Sequence, residues 1–310
     1  MNLWLFVALA AIWGASFLFL RVAAPAFGAG LAAELRVGIA FLALLLLAWV
    51  WPALRHRGGQ PPAHVARWHF WVVGALNSAV PFALYGLAAL SLPAGYLAIL
   101  NALVPLWGGL LAAVFLGEAL RLRLVLGVVF AALGVSLLVQ LGPVAVNAQT
   151  LLAAAACAGA TFCYAVAGML TKRWLSEVNA FESALRSLGP ASVLLLPIAL
   201  MEAPHAHPTA MAWWSVAALG LLCSAVAYLL FFRLIRSVGP IKATSVTFLI
   251  PGFGVFWGFV FLGEPLTLGM GLGLLLVIAA SALVLSTPST RGSPRPRHWP
   301  PTPAPGDRDK

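Results

Sequence analysis

Four ionisable residues lie beside long apolar runs: Glu34, Arg36, Glu182 and Arg186. A charge next to hydrocarbon is costly, so groups of this kind raise the prospect of ion or solute handling. Glu182 and Arg186 are four apart, which lets them pair on one helix face. Glu34 and Arg36 are two apart and point differently, so each needs another partner. For proton coupling Glu34 is the first suspect. Both pairs nevertheless fall near the ends of apolar segments, where a long side chain reaches water easily.

Uncharged polar and aromatic residues sit deeper. Asn101 precedes Pro105 by one helical turn and shares its face. Thr247 stands in the same relation to Pro251. Either polar group can face a wet cavity or bond to a neighbouring helix. Asn77 presents the same choice. The two prolines, each expected within a helix, remove a backbone donor and bend the chain, a device that shapes cavities. Trp13 and Trp107 are the leading aromatic candidates for a cavity wall, followed by Trp257, Tyr85 and Tyr228. A deep ring can stack on a substrate ring or on a cation.

Catalysis finds little support. His56, His64, His69, His205, His207 and His298 fall in loops, at segment edges or in the C-terminal tail. No nucleophile–base pair or metal cluster is visible, so neither an enzyme nor a cofactor or metal is expected. The three cysteines, Cys157, Cys163 and Cys223, have no metal-site spacing and read as small apolar side chains.

The elements that must position these residues are set by composition. The chain is 62% hydrophobic and 8% charged, and its mean hydropathy of +1.00 excludes a soluble domain. Ten apolar segments have the length of membrane-spanning helices: about 3–20, 31–51, 68–90, 94–116, 122–141, 151–170, 181–201, 211–232, 243–262 and 266–286. The net charge of +10 is scattered over loops without a basic face, so nucleic acid is not an expected partner.

Two stretches repeat. Residues 78–118 return as 224–264 at a shift of 146 (264 − 118), with Phe115-Leu116-Gly117-Glu118 matching Phe261-Leu262-Gly263-Glu264. Gly117 and Gly263 are suited to ending a helix. Glu118 and Glu264 are suited to the positive end of the helix that follows. With the N-terminus in the cytoplasm, Arg55, Arg67, Arg121, Arg123, Lys172, Arg173, Arg233, Arg236 and Lys242 all fall inside, while Arg21 and Arg36 fall toward the outside. The repeats also exchange their basic residues: Arg121 and Arg123 correspond to Thr267 and Gly269. Five helices per half is odd, so the halves are expected to be inverted, with both termini cytoplasmic.

Trp13-Gly14-Ala15-Ser16-Phe17, Glu34-Leu35-Arg36 and the doubled hairpin with Pro105, Gly117-Glu118, Pro251 and Gly263-Glu264-Pro265 resemble the drug/metabolite transporter superfamily, specifically its ten-helix EamA-like type. The resemblance covers about residues 3–286. It implies an all-α membrane protein of two inverted five-helix repeats, 1–143 and 144–287. It also implies alternating access around a cavity formed mostly by helices three, four, eight and nine. Residues 288–310 form a basic, proline-rich tail expected to be disordered and to touch anionic lipid. The expected partners are a small-molecule substrate and membrane lipid, as a monomer or a homodimer, in the bacterial inner membrane. The expected function is export of a small organic metabolite. A membrane scaffold and a lipid-modifying enzyme are the alternatives.

Overall fold

The computed structural model describes residues 3–52, 54, 62, 64–115, 122–141, 145–238, 243 and 245–285. The 143/144 division, Gly117, Glu118 and the tail all include or lie among residues outside that set. Among the described residues the chain is helical, with no strand. Ten helical segments follow in order: α1 (Leu3–Phe27), α2 (Ala29–Val50), α3 (Arg67–Ala89), α4 (Ala94–Phe115), α5 (Leu122–Gln140), α6 (Ala148–Trp174), α7 (Ala180–Glu202), α8 (Ala210–Val238), α9 (Ile250–Leu262) and α10 (Leu268–Leu285). Among the described residues eight helices are long and apolar enough to cross a membrane, and Leu122–Leu138 and Leu268–Val284 are shorter apolar stretches. Large apolar side chains such as Leu42, Trp49, Leu200 and Phe261 face outward, as they would against lipid.

Local chemistry explains where helices start and stop. Asn147, Asn179 and Thr209 each accept a hydrogen bond from a first-turn amide of α6, α7 and α8. Gly263 ends α9 in the left-handed conformation, at φ 65°.

Two interruptions depart from the expected continuous helices. The α4 helix breaks at Ala102–Leu103, and a 3₁₀ turn at Ser245–Phe248 precedes α9. Pro105 and Pro251 therefore stand in the first turn of a new segment instead of kinking the middle of an old one. Proline tolerates that position because a first-turn N–H has no helical partner to lose. Both α3 and α8 contain a π-helical stretch, at Ala75–Ala79 and Ala218–Val226.

The packing pattern maps onto itself when α1–α5 are exchanged for α6–α10. α1 packs on α9 and α8, while α6 packs on α4 and α3. α2 packs on α8, and α7 on α3. α2 with α7, α4 with α9, and α5 with α10 each pack across the two halves. Where α1, α4 and α9 meet, backbones touch. A Cβ on Gly254 would lie 2.2 Å from Ala98 Cβ, and one on Gly14 would lie 2.6 Å from Phe253 Cβ. Only glycine allows so close an approach in the absence of a hydrophobic driving force between helices in lipid.

Candidate functional site

A central cavity of about 510 Å³ lies among α1, α2, α3, α4, α6, α8, α9 and α10. That is the volume of a site for a small organic molecule. Its lining comes largely in pairs separated by 146 positions (231 − 85): Tyr85 with Phe231, Phe82 with Tyr228, Asn77 with Cys223, and Asn101 with Thr247. Ala102 with Phe248 and Val104 with Ile250 complete the set. The interrupted parts of α3, α4, α8 and the α9 entry supply most of these pairs. π-turns and helix breaks are common where a helix must present groups to a ligand.

Polar groups in the wall are tethered. Tyr85 donates its hydroxyl to Asn101 Oδ1 at 3.0 Å. Tyr228 stacks on Phe232 with ring centres 6.1 Å apart. Ser281 donates to the Ala102 carbonyl at 2.6 Å, at the break in α4. Ser16 donates to the Trp13 carbonyl at 2.6 Å. Aromatic faces complete the wall: Trp13 lies 5.3 Å from Phe231, and Tyr85 lies 5.5 Å from Phe17 and 6.2 Å from Tyr164.

Arg36 departs most from its expected place. It does not reach for water at a span end. It is buried, lines the cavity, donates from Nε to Ser224 Oγ at 3.2 Å, and stacks its guanidinium 3.8 Å from the Phe82 ring centre. Among the described lining residues it is the one charged side chain.

Of the other candidates, Trp13, Asn77, Tyr85, Asn101, Pro105, Tyr228 and Thr247 line the cavity, whereas Trp107, Pro251 and Trp257 do not. Trp107 turns away, donating its indole N–H to Thr161 at 3.1 Å, and Trp257 donates to the Ala11 carbonyl at 2.9 Å. An indole N–H at this depth needs an acceptor, and these two find theirs on α6 and α1. Glu34 sits outside the lining and accepts from Ser192 at 2.6 Å, and Glu182 pairs with Arg186 on α7.

The turn between α3 and α4 is tightly packed. Leu92, Ala94, Tyr96 and Leu97 are fully buried there, and three charged side chains hold backbone at helix ends. Arg21 donates to the Ala89 carbonyl at 2.6 Å, at the C-terminus of α3. Glu264 accepts from the amides of Ala94 and Gly95 at 2.6 and 3.1 Å. It thus caps α4 in the other half, not the helix that follows it, because α10 begins only at Leu268. Gly258 leaves the room: a Cβ there would lie 2.3 Å from Glu264 Oε2. Glu202 likewise accepts from Leu31 N at 2.8 Å at the start of α2. Each charge suits the dipole of the helix end it holds. A shallower cavity beside the α3–α4 turn is bounded by Arg21, Pro25, Pro93, Leu262 and Glu264.

Phe82, Ser224, Phe231 and Ser281 line the site without having been singled out. The shift of 146 that relates Asn101 to Thr247 also relates Tyr85 to Phe231 and Tyr228 to Phe82, so part of the signal was present. Nothing in the sequence marks Ser281. Among the described residues no three His, Cys, Asp or Glu side chains cluster to hold a metal.

The sequence matches the EamA-like transporter family over residues 1–140 and again over 151–286. It is 29% identical over 274 residues to a probable terminal-alkyne amino-acid exporter of Streptantibioticus cattleyicolor, covering 86% of this chain and 88% of that one. It is 27% identical over 205 residues to the protein PecM of Dickeya dadantii, covering 64% of this chain and 67% of the relative. A solved crystal structure shares the fold at a TM-score of 0.61 and 18% identity, over 90% of this chain and 94% of the other.

Proposed function

The chain belongs to the EamA-like transporter family, and from that premise we propose that it exports a small organic metabolite, amino-acid-like or drug-like, by alternating access. It is an integral, multi-pass protein of the bacterial inner membrane. The observation that carries the reading is the pairing of cavity positions 146 apart, such as Asn101 with Thr247. Two inverted halves, α1–α5 and α6–α10, share one midplane site, and rocking of one half against the other exposes it to each side in turn.

Charge placement supports cytoplasmic termini, which puts the α3–α4 turn outside. The name of the Streptantibioticus cattleyicolor relative supports an amino-acid-like solute moving outward. We propose ten spans, the two shorter helices α5 and α10 packing against each other.

The test compares extracellular metabolites from cells carrying wild type, Asn101→Ala or empty vector at matched membrane levels. A solute that accumulates outside with wild type and falls with Asn101→Ala supports the reading and places Asn101 in the path. No solute above empty vector, in either metabolite or drug-efflux assays, counts against transport and favours a scaffold.

A further inference from the structure

Arg36 is a buried cation on α2 whose side chain meets Ser224 and the face of Phe82, and no carboxylate lines the cavity among the described residues. A buried charge without an opposite charge is expensive, and a neutral serine and a ring face offset only part of that cost. The nearest acid in sequence, Glu34, is engaged by Ser192 outside the lining. The position equivalent to Arg36 in the second half offers no acid either. Gly220 packs against the Arg36 carbonyl and Gly74, its mate 146 positions earlier, packs against that of Ser187, which puts a serine in the matching place. The site is therefore asymmetric in charge although it is symmetric in shape.

We infer that Arg36 is the anchor for a carboxylate on the transported molecule, so that the cavity selects a small organic acid or zwitterion with an apolar body over its uncharged or cationic counterpart. This deepens the transporter reading of the same cavity and rests on it. A guanidinium whose Nε is held by Ser224 and whose plane lies on Phe82 keeps its remaining N–H groups oriented for a planar, two-oxygen acceptor. Trp13, Phe17 and Phe231 then receive the apolar body. An ammonium group, where present, meets ring faces and the Asn101 amide, with no carboxylate to hold it. The class thus fixed is an acid head with an apolar remainder, small enough for about 510 Å³.

The experiment is an equilibrium titration of the purified full chain in detergent with two matched pairs, phenylalanine against phenylalaninamide and 3-phenylpropionate against 3-phenylpropionamide. Each pair differs at the carboxylate. The acid of each pair binds wild type roughly 10- to 100-fold more tightly than its amide. Arg36→Gln removes that preference, and Arg36→Lys, which keeps charge but loses the fork, leaves an intermediate one. Equal binding of acid and amide to wild type, tighter binding of the amides, or no binding of either acid overturns the anchor. The wild-type comparison decides even where a variant fails to fold. If cells export a solute but wild type shows no acid preference, the anchor is wrong and the transporter reading stands. If the preference is found and no solute moves, the reverse holds.

Discussion

The Glu264 carboxylate lies 2.6 Å from the amide of Ala94, 170 positions away in the chain. One carboxylate from the α9–α10 hairpin thereby satisfies two first-turn donors of α4, tying the two halves together beside the α3–α4 turn.

Replacing Glu264 by Ala leaves the Ala94 and Gly95 amides without an acceptor and removes a favourable charge from the α4 N-terminus. The expected cost is about 2 kcal/mol, read as a lower apparent Tm of the purified protein in detergent. Glu264→Gln, which keeps an oxygen acceptor, loses less. An unchanged Tm for Glu264→Ala would mean that the cap contributes nothing to the stability of the fold.

Gly28 has φ 90°, and a Cβ there would lie 2.4 Å from Glu202 Oε2. Gly28→Ala therefore strains the backbone and displaces the carboxylate from Leu31. It should cost more than Glu202→Ala, which removes only the cap, by about 1 kcal/mol or more. Thermal unfolding of the two variants side by side checks the order.

Two tryptophans with similar sequence surroundings should respond differently. Trp13 faces the cavity and Phe231, whereas Trp107 is hydrogen-bonded to Thr161 away from it. Trp13→Ala should reduce export several-fold with membrane levels near wild type. Trp107→Ala should lower the amount of folded protein, by a loss on the order of 3 kcal/mol for a packed aromatic, with export per folded molecule retained. Export rates normalised to folded protein separate the two.

The all-helical membrane character and the 146-residue shift were legible because apolar length and repeated letters report directly on burial in a membrane. The π-turns at Ala75–Ala79 and Ala218–Val226 and the breaks before Pro105 and Pro251 were not, because each follows from contacts with other helices more than from local propensity. Arg36 shows the same limit. Its position two residues from Glu34 and near a segment end suggested a route to water, yet the close approach of α8 at Gly220 and the face of Phe82 hold it in the interior. Glu264 was recognised as a cap on sound grounds of charge and dipole, but which helix it caps is a tertiary fact. Trp107 and Trp257 looked like Trp13 in sequence, and only the acceptor each indole finds distinguishes them.

The central claim is that solute passes through the cavity shared by the two halves, and it is tested most directly by counterflow in proteoliposomes. Vesicles containing purified protein are loaded with the solute that wild-type cells accumulate outside, and uptake of labelled solute is followed. Wild type should accelerate exchange over protein-free vesicles. Ala102→Trp, which fills the cavity at the α4 break, should abolish it while remaining folded. No acceleration by folded wild type, or an undiminished rate in folded Ala102→Trp, would contradict the account.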